Sequence, residues 1–213
     1  MNFIRSNNGR LIFVGLTMAM IMFGILNQEL LRTEDLLYNY LGNEYSTDQI
    51  SHFMELSQKW QWVGYAILPV ILLLKIAVIS SVLYMGAFFF EKKITYKRLF
   101  TIVTKAEFVF VLVGLVKLVW FLFQDDYTLQ DIQSFYPLSA LSVVGYQELQ
   151  PWFVYPFQTL NLFELAYWII LAWLLGKEIQ STTDKALKIV ASSYGSALLI
   201  WVVAVMFLTL NMS

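Results

Sequence analysis

One segment constrains the fold more than any other: from Trp62 to Phe90 the chain runs apolar with a single charge, Lys75, in its middle. A helix needs about 20 apolar residues to cross a bilayer, so this stretch is longer than one crossing. Comparable blocks occupy Leu11 to Leu31, Ala106 to Phe123, Thr159 to Leu175 and Leu187 to Leu210. Backbone polar groups in lipid must be satisfied internally, which leaves helices or a closed barrel. The blocks are too long and too uniformly apolar for the alternating strands of a barrel. The expectation is an all-α, polytopic transmembrane helix bundle. It forms a single membrane domain over 1–213, with about five spans (11–31, 62–90, 106–123, 159–175 and 187–210) and connections at 32–61 and 124–158.

Composition agrees. Apolar residues make up 59% and charged residues 14% of the chain, against roughly half and a quarter in soluble domains. A net charge of −1 offers no basic surface for a nucleic acid partner. Cysteine is absent and His52 is the lone histidine, which removes thiolate and multi-histidine metal sites. Trp60, Trp62, Trp120, Trp152 and Trp201 fall near the ends of apolar blocks, where an indole ring satisfies both its apolar body and its N–H.

Lysine and arginine orient the expected bundle. Arg5 and Arg10 precede the first block. Lys92, Lys93, Lys97, Arg98 and Lys105 lie between the second and third, and Lys177, Lys185 and Lys188 lie around the fourth and fifth. The two remaining connections hold only Arg32 and Lys59, and 124–158 has neither residue type. The positive-inside rule then predicts the N-terminus inside and the C-terminus outside. The first block ends without a small-residue cleavage pattern, so it is read as an uncleaved span.

The outward connections carry their own signals. Residues 32–60 are acidic, with Glu34, Asp35, Glu44, Asp48 and Glu55; Ser46 followed by Gln49 has capping-box spacing and predicts a helix feeding the second span. Pro69 is a candidate kink within that span. The 124–158 connection holds Pro137, Pro151 and Pro156 with Asp125, Asp126, Asp131, Glu148 and many aromatic residues. Thr128 with Asp131 predicts a short capped helix there. The whole segment is expected to form an interfacial cap, with a lid or partner surface as the alternative. Ser181 with Asp184 predicts the start of the last helix.

Ionisable residues inside apolar blocks are the candidate functional groups: Lys75, Lys117, Glu164 and Glu107. A charge at a helix centre costs roughly 2.5–3.5 kcal/mol on insertion scales, so such groups tend to face the bundle interior and pair. Similar depth suggests a Lys117–Glu164 pair. Lys75 lies deeper and could share Glu164 or a backbone carbonyl, and Glu107, beside Lys105, is expected to be solvated. Snorkelling explains Lys117 without a function. No phosphate-cradling glycine loop, HExxH, G-x-S-x-G or serine–histidine–acid set is present, so no catalytic residue, cofactor or metal is expected. Asp125 and Asp126 lack the ligand spacing of a calcium loop.

Phe135-Tyr136-Pro137-Leu138-Ser139, then Asn161-Leu162-Phe163-Glu164 running into Trp168, Leu171 and Leu175-Gly176, and Lys185-Ala186 opening the last span, make the C-terminal half similar to the Yip family of five-span membrane proteins. That resemblance implies membrane-embedded adaptors without enzymatic activity, the eukaryotic members acting with small GTPases in vesicle traffic. The short N-terminal tail and the missing glycine- and tyrosine-rich signatures point instead to a bacterial relative. The expected function is a non-enzymatic scaffold or accessory subunit of a membrane complex in the bacterial inner membrane. Its partners would be the lipid bilayer and a membrane protein or a second copy. The alternative is a small transporter or channel component handling an anion or proton through Lys75, Lys117 and Glu164.

Overall fold

The computed structural model describes residues 8–31, 33–42, 45–147 and 149–212. The expectations attached to Arg5, Arg32, Glu44 and Glu148 fall outside these residues. The described chain is helical, with one isolated antiparallel bridge between Ser139 and Asn161. Helices α1 (Gly9–Leu30), α2 (Thr33–Leu41) and α3 (Thr47–Phe89) come first, followed by α4 (Tyr96–Ala106) and α5 (Phe108–Leu122). Three short helices follow, α6 (Leu129–Ser134), α7 (Ala140–Val144) and α8 (Pro151–Thr159). The chain ends with α9 (Leu162–Glu178), α10 (Thr183–Val190), a π-turn (Ala191–Gly195) and α11 (Ser196–Met212). Among the described residues, four helical runs are long and apolar enough to cross a membrane: Gly9–Leu30, Thr47–Phe89, Tyr96–Leu122 and Thr183–Met212. Helix α9 has 17 residues.

Helix α3 starts where the capping spacing places it, at Ser46, whose backbone N–H donates to the Gln49 side chain at 3.1 Å. It then runs 43 residues without interruption, through Pro69. Its polar first third is tied to α1 and α2 by side chains: Gln28 and Gln58 both donate to the Glu34 carboxylate at 3.1 Å. Gln61 and Tyr65 in turn donate to the Gln28 side-chain oxygen.

The helical run that contains the expected third span, 106–123, already begins at Tyr96. The reason lies in α4's amphipathic pattern. Leu99, Ile102, Val103 and Ala106 recur at helical spacing and are buried, while Lys97 and Arg98 point outward. Charge in this stretch decorates one helix face instead of ending the helix. The same holds for α10, where Ala186, Ile189 and Val190 are buried and Lys185 and Lys188 are exposed. The N-cap there is Thr182, one residue beyond the expected Ser181; its hydroxyl accepts from the Lys185 N–H.

Helix α9 also starts late, at Leu162 instead of 159. Leu160 leaves the helical path, Ala140 N–H donates to Leu160 O and Leu162 N–H donates to Leu138 O, so the bridge pins the cap to the helix entrance. Asn161 then caps α9, its side-chain oxygen accepting from Glu164 N–H at 2.7 Å. Among the described residues the 124–158 connection therefore holds three short helices where one was expected. Its first, α6, has the Thr128–Asp131 capping box.

The main core gathers Leu16 of α1, Ile76 and Leu83 of α3, Leu99 and Val103 of α4, Tyr167 and Leu171 of α9, and Ile189 and Val190 of α10. A smaller cluster at the other end packs Leu31, Leu118 and Phe121 beneath Tyr127, Ile132 and Phe135 of the cap. Arg98 bridges Glu178 at 3.4 Å, which brings the lysine-rich starts and ends of α4 and α9 to one end of the molecule. Helix α11 has no buried residue, and its main partner is α8.

Candidate functional site

Two carboxylates lie within the packed helices, each held by aromatic donors. Glu107 sits at the junction of α4 and α5, where its carbonyl accepts from Phe110 N–H and the helix tightens for one turn. The helix continues through it, so Glu107 lies eleven residues past Tyr96, about 16 Å along the axis. It is wholly buried. Its two oxygens are both engaged: Lys75 Nζ lies 2.8 Å from Oε2, and Tyr167 donates to Oε1 at 3.0 Å. A buried carboxylate with an opposite charge and a hydroxyl donor is the arrangement that makes such burial tolerable. Lys75 also stands 4.1 Å from the centroid of the Phe110 ring, a cation–π contact. Yet its side chain remains 43% exposed.

The second carboxylate, Glu164, sits in the first turn of α9, one turn from Tyr167. Its Oε1 accepts from Trp168 Nε1 at 2.9 Å and from Tyr194 OH at 2.8 Å. Tyr194 belongs to the π-turn. Ser193 and Ser192 donate their hydroxyls to the Ile189 carbonyl at 2.7 and 3.2 Å, which satisfies a carbonyl at the point where the α-pattern widens. Two glycines let the neighbouring helices approach this turn. A Cβ on Gly86 would fall 2.5 Å from that of Ser193, and one on Gly195 would fall 2.5 Å from the Trp168 ring. The two carboxylate sites touch through the rings of Tyr167 and Tyr194, 5.5 Å apart and edge-to-face.

The expected pairing is thus corrected. Lys75 takes Glu107 as partner, not Glu164 or a backbone carbonyl, and Glu107 is buried rather than solvated. Lys117 makes no ion pair with Glu164. It lies ten residues past Glu107, about 15 Å further along α5, and its ammonium stands 5.3 Å from the Tyr136 ring of the cap. The depth argument failed because the bridge to the cap delays the start of α9 to Leu162, which leaves Glu164 in the first turn of that helix. Glu164 consequently enters the bundle beside the Glu107 cluster. Tyr167 and Tyr194 were not singled out from sequence, and Trp168 entered only through the family resemblance; the i, i+4 spacing of Glu164 and Trp168 was the one available signal.

Other candidates separate from this cluster. His52 is exposed on α3, and Asp125 and Asp126 are exposed after α5. Among the described residues no three acidic or histidine side chains stand close enough to hold a metal ion. The cluster holds two carboxylates through an ammonium, two phenol hydroxyls and an indole N–H, each donating to a carboxylate oxygen. No protein-family model, curated protein or solved structure matches the chain.

Proposed function

We propose that this chain is a non-enzymatic integral membrane protein of five spans, with its N-terminus inside and C-terminus outside a bacterial cytoplasmic membrane. In this reading it is an accessory or scaffolding subunit of a membrane complex, holding its partner through the face around Lys75. Five crossings follow if α9 is counted with the four longer helices: 17 residues lie at the short limit for a span, about 25 Å of helix. The odd count then leaves Arg10, Lys97, Arg98 and Lys177 on the inner side, as the positive-inside rule requires.

The observation that carries the reading is the half-exposed Lys75. Its flanking neighbours on the same helix face, Ile71 and Val78, are each 61% exposed. A cation set in an apolar face at mid-span is costly against hydrocarbon, by roughly 2.5–3.5 kcal/mol on insertion scales. A polypeptide covering that face, whether another membrane protein or a second copy, removes the exposure. The resemblance of the C-terminal half to the Yip family of five-span membrane proteins would accord with an adaptor role.

A photo-crosslinking amino acid at Ile71 or Val78 tests this in intact membranes. The expected result is a discrete polypeptide adduct at both positions and none at Trp62, which lies outside that face. Adducts with lipid alone at Ile71 and Val78 would remove the basis for the proposal.

A second reading, proton handling, draws on the linked carboxylates of Glu107 and Glu164 and on the π-turn that supplies Tyr194, since intramembrane acids and π-turns often mark function. Vesicles holding the purified protein distinguish the two. Collapse of an imposed pH gradient by the wild type, and not by Glu107→Gln, would put this reading first.

A further inference from the structure

A groove of about 1440 Å³ opens between α1, α3 and α4 at the lysine-rich end of the molecule. Its mouth carries Arg10 and Lys97, both exposed, and its wall is apolar, with Leu11, Val14, Leu73 and Phe100 among the lining residues. Among the described residues neither cation forms an ion pair, and no carboxylate lines the groove. A neighbouring groove of about 490 Å³ at the same end differs in this respect: its cations Lys92, Lys93 and Arg98 are joined by Glu178, which Arg98 already engages. Of these two grooves, the first combines an apolar trough with positive charge that no described carboxylate pairs.

The geometry points to an anionic phospholipid of the inner leaflet as the occupant, its phosphate between Arg10 and Lys97 and an acyl chain along α1 and α3. Charge complementarity selects an anion, since basic side chains at a membrane surface attract anionic headgroups by about fivefold in affinity per residue. The apolar wall selects a lipid over a free anion. Leu11, Val14 and Leu73 are 65%, 52% and 45% exposed, and an inorganic phosphate would leave all three uncovered. Contact between α1 and α4 closes the trough at one point: a Cβ on Gly9 would fall 2.6 Å from Thr101 Oγ1. The inference rests on the membrane-embedded reading above, and on its orientation for the choice of leaflet.

Native mass spectrometry of the full chain in mild detergent, titrated with phosphatidylglycerol or phosphatidylcholine, provides the test. Phosphatidylglycerol is expected to bind more tightly than phosphatidylcholine. Arg10→Gln with Lys97→Gln should weaken phosphatidylglycerol binding about 30-fold, and Lys97→Gln alone about fivefold, with phosphatidylcholine binding unchanged. Lys92→Gln with Lys93→Gln should leave both affinities as they are, and inorganic phosphate should not displace the lipid. Equal binding of the two lipids, retention of wild-type affinity in the single and double groove variants, or displacement by inorganic phosphate would each overturn the assignment. The titration uses solubilised protein, so its failure leaves the span count standing. Release of the protein from membranes by alkaline carbonate would instead sink the embedded reading.

Discussion

The Lys75–Glu107 pair is asymmetric, because one partner is wholly buried and the other half exposed. Losing the two partners should therefore have unequal effects. Lys75→Met leaves a buried carboxylate facing only Tyr167, and is expected to lower stability by about 2–3 kcal/mol, less than the 3–5 kcal/mol of a fully buried broken pair. Glu107→Gln keeps an acceptor for Tyr167 and leaves an ammonium that can reach the surface, so about 1 kcal/mol is expected. The double variant should be milder than the sum by at least about 1 kcal/mol, measured by reversible unfolding in mixed micelles. Lys117→Gln and Glu164→Gln should add to within about 0.5 kcal/mol, because the two groups are not neighbours. Additive Lys75 and Glu107 effects would mean the contact is energetically empty. Lys75 was legible as an anomaly from sequence because charge in an apolar run needs a partner. The identity of that partner was not, since it depends on where α4 begins and where α8 ends.

Two helix starts were readable from capping spacing alone. Ser46 with Gln49 and Thr128 with Asp131 both form the reciprocal bonds their spacing implies. In α6 the Asp131 carboxylate accepts from the Thr128 hydroxyl at 2.6 Å and from its N–H at 2.8 Å. These bonds hold its pKa below the ordinary value of 3.8, the Thr128 hydroxyl contributing most. A group whose folded pKa is depressed stabilises the fold above the unfolded value and loses that contribution as pH falls through the folded one. Amide protection in α6 should thus be constant down to about pH 4 and fall below it, once intrinsic exchange is corrected for. Asp131→Asn keeps the acceptor and does not titrate, so its protection should lack that acid step. An identical acid step in the variant would assign it to another group. What sequence reading missed at this scale were the amphipathic extensions α4 and α10 and the break at Leu160. Lysines on one helix face look like a helix end when charge is counted without periodicity, and the break depends on a bridge between residues that are distant in sequence.

At the scale of the molecule, the described helices form a bundle whose basic residues, Lys59, Lys75 and Lys117 apart, collect at one end and whose short helices α6 to α8 cover the other. Its polar cluster lies between them. Periodicity and length made the helical, membrane-type architecture legible. They could not reveal that α8 fills the end of the 124–158 connection and that α9 starts only at Leu162, with 17 residues, so the oriented five-span topology is the claim on which the functional reading depends. The chain has no cysteine, and single cysteines can be introduced at exposed sites without background. Asp48→Cys and Asp126→Cys should react with a membrane-impermeant maleimide in intact cells. Lys93→Cys and Gln180→Cys should react only after the membrane is opened. Labelling of Gln180→Cys from outside, together with Asp126→Cys, would mean that α9 does not cross, and would contradict the five-span account.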